Sequence, residues 1–333
     1  MSALDPVILN EVKATQKAVS DLASSSSGAA IGAVGQIIRL PTDATMPSDG
    51  DAVYLRSGIL TSDDAYPDYP YWLPRYGGIT WTQRALPSAS WESVAYGNGV
   101  FVAVASGSAI AATSPDGITW TQRALPVSAN WQSVTYGGGV FVAVAYGSAI
   151  AATSPDGIAW TQRALPVSAS WQSVTYGGGV FVAVAYGSAI AATSPDGIAW
   201  TQRALPVSAS WQSVTYGGGV FVAVAYGSAI AATSPDGIAW TQRALPVSAS
   251  WQSVTYGGGV FVAVASGSAI AATSPDGIAW TQRALPVSAS WQSVTYGGGV
   301  FVAVSSSSAI AATSPANLIG IDAYTKNEYV RVK

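Results

Sequence analysis

From residue 78 onward the hydrophobic pattern consists of short apolar runs broken by small polar clusters, and it repeats. Trp91, Trp131, Trp171, Trp211, Trp251 and Trp291 each open a copy of W-(Q/E)-S-V-x-Y-G-x-G-V-F-V-A-V, spaced 40 residues apart. A second series, Trp81, Trp120, Trp160, Trp200, Trp240 and Trp280, lies in I-(T/A)-W-T-Q-R-A-L-P. A period of this length marks a repeat architecture, in which each unit buries its apolar face against its neighbours.

One unit parses into four short strands. Residues 131–136 form the first, ended by Gly137, Gly138 and Gly139. Residues 140–145 form the second; it is apolar on both faces, as a strand covered on two sides must be. Residues 148–153 form the third. A Ser154-Pro155-Asp156-Gly157 turn follows: Pro presets φ, Asp bonds its own backbone, and Gly takes a positive φ. Residues 158–164 form the fourth, with Ile158 and Trp160 on one face and Ala159 and Thr161 on the other. Four strands in 40 residues is the size of a β-propeller blade.

The ends of the array bear on closure. It begins with a lone fourth strand, Ile79 through Leu86, and ends on a third strand, residues 308–313, with Ala316 where the turn's Asp belongs. These leftover pieces complete one blade. The fold class predicted is therefore all-β. It is a six-bladed β-propeller of four-stranded blades, with the ring closed by pairing residues 79–86 with the last blade. A short N-terminal coiled-coil helix and a small β neck precede it.

That helix spans residues 5–22, with Asp5 as N-cap and Pro6 at the first helical position. Ile8, Val12, Thr15, Val19 and Leu22 follow coiled-coil spacing. A lone helix of this length is marginal in water. It therefore either joins partner chains or packs on another protein. The domain reading is residues 1–23 for attachment and trimerisation, 24–32 as a flexible linker and 33–77 as a neck. The propeller follows at 78–314, and a C-terminal strand at 315–333 returns to the neck.

Composition excludes much chemistry. The chain has no Cys and no His, which removes disulfides, thiolate nucleophiles, imidazole acid–base catalysis and the usual zinc sites. Charged residues make up 9% and the net charge is -3, with no basic stripe for nucleic acid. No apolar run approaches the length of about 20 residues that spans a bilayer, so no membrane insertion is expected. No metal or other cofactor is implied. Glycoside hydrolysis usually needs two carboxylates at a defined separation. The repeated Asp116, Asp156, Asp196, Asp236 and Asp276 sit instead at equivalent turns spread around one rim. No catalytic constellation emerges, and no enzymatic activity is expected. The repeated arginines, Arg84, Arg123, Arg163, Arg203, Arg243 and Arg283, are read as solvated or bridging blades, and the tryptophans as core.

The positions where near-identical copies differ point to a ligand face. The turn after the second strand reads Ser106, Tyr146, Tyr186, Tyr226, Ser266, Ser306, and the link between blades reads Ser90, Asn130, Ser170, Ser210, Ser250, Ser290. Both sets belong to one face of the ring. Tyr146, Tyr186, Tyr226 and Asn130 are the candidate ligand-binding residues, because exposed Tyr offers a flat face and a hydroxyl. Drift at a tolerant loop tip is the alternative.

Three features resemble phage tail-fibre and tail-tip proteins. The stretch from Gly35 to Thr42, G-Q-I-I-R-L-P-T, followed by Gly50 to Gly58, G-D-A-V-Y-L-R-S-G, looks like the neck of such fibres. Tyr329-Val330-Arg331-Val332-Lys333 is similar to their chain ends, and the repeat resembles those of phage and bacterial surface proteins. The turn Ser114-Pro115-Asp116-Gly117-Ile118-Thr119-Trp120 also resembles the Asp-box of sialidase-type propellers, one residue short, which implies a structural role only. The tail-fibre resemblance implies a virion protein of the tail, made in the host cytoplasm. It would be trimeric through residues 5–22, joined to other tail or baseplate proteins by its N-terminus, and used to adsorb to a host-surface glycan or protein. The alternatives are a structural tail or baseplate component without receptor binding, and a lectin-like surface adhesin.

Overall fold

In a computed structural model of the chain, the described residues are 83–315 together with the strands Ile37–Arg39, Tyr54–Arg56 and Glu328–Arg331. The chain divides into two compact units, Met1–Arg75 with Asn317–Lys333, and Tyr76–Ala316. In the first, Glu328–Arg331 lies between Ile37–Arg39 and Tyr54–Arg56, antiparallel to both. Val330 stands opposite Ile37 on one side and Leu55 on the other. The helix and linker expected over residues 5–32 lie outside the described residues.

The second unit is built from antiparallel strands. In its second copy the first strand is the latter part of Thr121–Gly137, followed by Val140–Tyr146, Ser148–Ser154 and Thr161–Ala169. Each pairs with the next: Tyr136 opposite Phe141, Phe141 opposite Ser154, Ala151 opposite Arg163. The fourth strand starts at Thr161 rather than at Ile158. The Asp156 carboxylate accepts the N–H groups of Ile158 and Ala159, so those donors are held in the turn and are not free for a ladder. The same strand runs on to Ala169. In Thr121–Gly137, Thr201–Gly217 and Thr241–Gly257 it continues unbroken into the next copy.

The core lies between copies. Trp131, Trp171, Trp211, Trp251 and Trp291 are fully buried, with the Phe, Val and Ala of the second strands packed around them. Each indole N–H is satisfied locally, as Trp131 Nε1 donates to the Val127 carbonyl at 3.2 Å. Hiding a Trp of this size from water is worth roughly 4–6 kcal/mol before entropy is counted, from about 25 cal/mol per Å² of apolar surface.

Two contacts recur at each junction between copies. The Val134 N–H donates to Ser93 Oγ at 3.1 Å, and Val174, Val214, Val254 and Val294 do the same to Ser133, Ser173, Ser213 and Ser253. Beside this bond the ring of Tyr136 lies against Gly97, where any Cβ would overlap it. Gly97 has no positive φ, so the close approach alone demands glycine here. The tyrosine also meets Phe141 of its own copy, ring centroids 4.7 Å apart.

The two ends of the array lack this contact. The last copy has Trp291–Gly297, Val300–Ser305 and Ala311–Pro315, and the last of these pairs only with its predecessor among the described residues. Residues 83–86 carry no strand, so the closing strand expected over 79–86 is not formed within its described part; residues 79–82 lie outside it. Val94 and Tyr96 are 60% and 59% exposed, whereas their counterparts Val134 and Tyr136 are buried and half-buried. Nothing lies within 4 Å of a Cβ built on Gly297. The physical difference is one of sequence separation. Each internal fourth strand meets the third strand of its own copy across a short turn, whereas residues 83–86 would have to meet a strand at the far end of the array.

Candidate ligand-binding rim

In each of the first five copies an aspartate closes the turn between the third and fourth strands. In the Asp turns, Asp156 Oδ1 accepts from the Ile158 N–H at 2.8 Å, the Ala159 N–H at 3.2 Å and the Ser154 hydroxyl at 3.1 Å. Ser154 is fully buried, and its oxygen takes the Gly157 N–H at 2.8 Å. Asp116, Asp196, Asp236 and Asp276 repeat the arrangement. The backbone N–H two residues on is the chief cause that holds each of these carboxyls below the usual aspartate value. The aspartates are thus turn locks, the role their spacing implied.

The arginines behave differently from expectation. Arg123 Nε donates to Thr113 Oγ1 of its own copy at 3.0 Å, and Arg163, Arg203, Arg243 and Arg283 do likewise. They tie third to fourth strands within a copy and do not bridge copies, because Ala111 stands opposite Arg123 and Thr113 opposite Thr121 in the ladder. In the second tryptophan series Trp120, Trp160, Trp200, Trp240 and Trp280 are half-buried, with Trp160 Nε1 bonded to the Gly157 carbonyl.

The strand pairing places the variable positions together, as the copy-by-copy differences suggested. Asn130 stands opposite Tyr146, Tyr186 opposite Ser210, and Tyr226 opposite Ser250. The Tyr186 N–H also reaches back to the Ser170 carbonyl at 2.8 Å. Turn and link are therefore adjacent strand ends on one rim. Tyr146 and Tyr226 are 36% and 40% exposed. Tyr186 is half-buried and Asn130 exposed.

Asn130 and Tyr146 meet at a cleft of 390 Å³ that Gly107, Ser128, Ser148 and Ile150 help to line. Its polar groups are an amide and hydroxyls. Sequence reasoning found Asn130 and Tyr146 as departures from the repeat. It missed Gly107 and Ile150, which are common to most copies and so carry no signal. Among the described residues no group of His, Cys, Asp and Glu could hold a metal ion, and no helix is long and apolar enough to cross a membrane.

No family model matches the chain, and no curated protein matches it. Solved structures do. Virginiamycin B lyase from Staphylococcus aureus aligns with a TM-score of 0.59 at 10% identity, over 74% of this chain and 95% of that one. A streptogramin B lyase aligns at 0.61 and 9% identity, over 75% and 95%. YCF48 bound to D1 peptide aligns at 0.55 and 15% identity, over 78% and 83%. The shared fold is a β-propeller. At these identities the likeness is one of architecture alone. The repeated copies are its blades, the Asp turns form one rim of the blade array, and the Tyr146, Tyr186 and Tyr226 turns lie on the other.

Proposed function

We propose that the chain is an adsorption protein of a phage tail that binds a host-surface glycan or protein through the rim carrying Tyr146, Tyr186, Tyr226 and Asn130, without catalysis. One observation carries the reading. In blades that are otherwise near copies, most of the difference falls on one rim, and there the three tyrosines and Asn130 keep their side-chain polar groups unpaired. Neither the three phenol hydroxyls nor the Asn130 amide has a hydrogen-bond partner among the described residues. The neck-like segments Gly35 to Thr42 and Gly50 to Gly58 support placement in a tail.

In this reading residues 5–22 join three chains, and the N-terminus attaches to other tail or baseplate proteins. A site of about millimolar affinity is worth only about 4 kcal/mol. Presentation on three chains raises avidity by roughly 10²–10⁴ where the geometry lets the sites engage together. Weak rim contacts therefore suffice for adsorption.

The test is a glycan-array and whole-cell binding assay on the purified full chain, alongside the Tyr146→Ser/Tyr186→Ser/Tyr226→Ser variant. Binding by the parent and its loss in the variant, with melting unchanged, is the expected result. A parent that binds neither cells nor glycans would make the chain a structural tail part instead.

A further inference from the structure

The rim is not uniform, and the place where it breaks has a specific shape. Going from the first blade to the second, the turn residue changes from Ser106 to Tyr146. The cleft lies at that step: Gly107, beside Ser106, forms one side, and Tyr146 with Ser148 the other. Between the second and third blades both turn residues are tyrosines, Tyr146 and Tyr186, so no short side chain leaves the same space. The blade link at this step is also the one that reads Asn, at position 130, where every other link reads Ser. Asn130, the one departure among the links, thus lines the 390 Å³ cleft, beside the step from Ser106 to Tyr146.

The lining fixes the class of ligand. It includes no Lys, Arg, Asp or Glu, so a charged group entering it would lose water without gaining an ion pair. The asparagine amide offers two donors and an acceptor, and Ser128 and Ser148 add hydroxyls. The Ser148 hydroxyl already donates to the Ala145 carbonyl and accepts the Ile150 N–H, so Asn130 and Ser128 are the groups free to select. Tyr146 supplies an aromatic wall. The volume is at the small end of ligand clefts, about 300–1,000 Å³. An apolar ring face opposite hydroxyls that want donors and acceptors is the description of an uncharged sugar.

We propose that the Asn130–Tyr146 cleft of the second blade is a binding site for one uncharged hexopyranose unit, and that Asn130 sets its specificity. This rests on the rim being the ligand face, and it narrows that reading. The sites are not three equivalent tyrosines but one cleft per chain, with Tyr186 and Tyr226 flanking.

The repeat supplies variants that the fold already tolerates. Asn130→Ser makes the link like its neighbours, and Ser106→Tyr fills the step with the residue that the next three blades carry. Methyl glycosides of glucose, galactose, mannose and N-acetylglucosamine serve as probes, read by saturation-transfer NMR on the full chain, with cell binding measured in parallel. The expected result is binding of at least one glycoside, weakened tenfold or more by either variant. Transfer of the cleft by Ser170→Asn with Tyr146→Ser, in a chain already carrying Asn130→Ser, should restore binding. If cell binding falls with Tyr186→Ser and Tyr226→Ser but not with Asn130→Ser or Ser106→Tyr, the cleft is wrong and the rim reading stands. If the parent binds neither glycosides nor cells, both fail.

Discussion

The Asp turn and the turn after the second strand both place a glycine at positive φ, yet they use their side chains differently. In the third blade Gly197 has φ 75° and Gly187 φ 69°. Around Gly197 the chain spends its polar atoms on itself: Asp196 and the buried Ser194 close five hydrogen bonds within the turn. Gly197 also packs onto the preceding blade, where an added Cβ would press on Val142. A Cβ added at Gly187 would meet nothing within 4 Å beyond its chain neighbours, and the neighbouring Tyr186 side chain has no hydrogen-bond partner among the described residues. The Asp rim commits its carboxylates and buried serines to holding the fold; the other rim also closes its turn, with Ser188 donating to the Ala185 carbonyl and accepting the Ile190 N–H, but leaves its tyrosine hydroxyls available. Most of the differences between copies fall on this second rim, with Asn98 and Thr119 outside it.

The sharpest break of this contrast is the same substitution on both rims. Gly197→Ala meets a left-handed backbone and a packed neighbour at once, and should cost about 3 kcal/mol or more. Gly187→Ala meets only the backbone term, about 1 kcal/mol. Thermal melting of the two variants orders them; equal losses would mean that the rims are equally packed. Next in size, Asp196→Ala removes an acceptor from two backbone N–H groups in the turn and should cost about 1 kcal/mol. Tyr186→Ser should stay within about 0.5 kcal/mol of the parent, as urea unfolding of both variants will read.

Acid should act on one rim only. The five turn aspartates are held below the ordinary value of 3.8, chiefly by the backbone N–H two residues on. A carboxyl with a depressed folded pKa stabilises the fold above its unfolded value and gives that up as pH falls through the folded one. Melting temperature should therefore hold down to about pH 4 and decline below it. The Asp156→Ala/Asp196→Ala/Asp236→Ala variant, less stable at neutral pH, should show a shallower decline. A decline of equal slope in that variant would place the acid-sensitive groups elsewhere.

The repeat made the strands and both kinds of turn legible, because Trp, Gly-x-Gly and Ser-Pro-Asp-Gly recur at fixed offsets and each has a local cause. The tyrosine rim was legible for the same reason: it is where the copies disagree. Contacts between blades were not. Alternation tells which face Ser93 and Val134 occupy, but not that one bonds the other across the junction. The Gly97 position reads as a hairpin glycine, and only the packed Tyr136 ring shows why no Cβ fits. The fourth strand was placed three residues early because Ile158 and Trp160 alternate like a strand, while Asp156 had already claimed the N–H groups. The closing strand was inferred from the lone fourth strand at 79–86 and the last copy that lacks one. Similarity to the internal fourth strands does not supply the short turn that brings those strands to their partners.

The division of labour between the rims is most directly tested by measuring cell binding and melting temperature together on two matched variants, Tyr146→Ser/Tyr186→Ser/Tyr226→Ser and Asp156→Ala/Asp196→Ala/Asp236→Ala. The tyrosine variant should lose binding by tenfold or more and melt with the parent. The aspartate variant should melt lower and, below its transition, bind as the parent does. A tyrosine variant that binds normally, or an aspartate variant that loses binding while still folded, would contradict the assignment of ligand contact to the tyrosine rim.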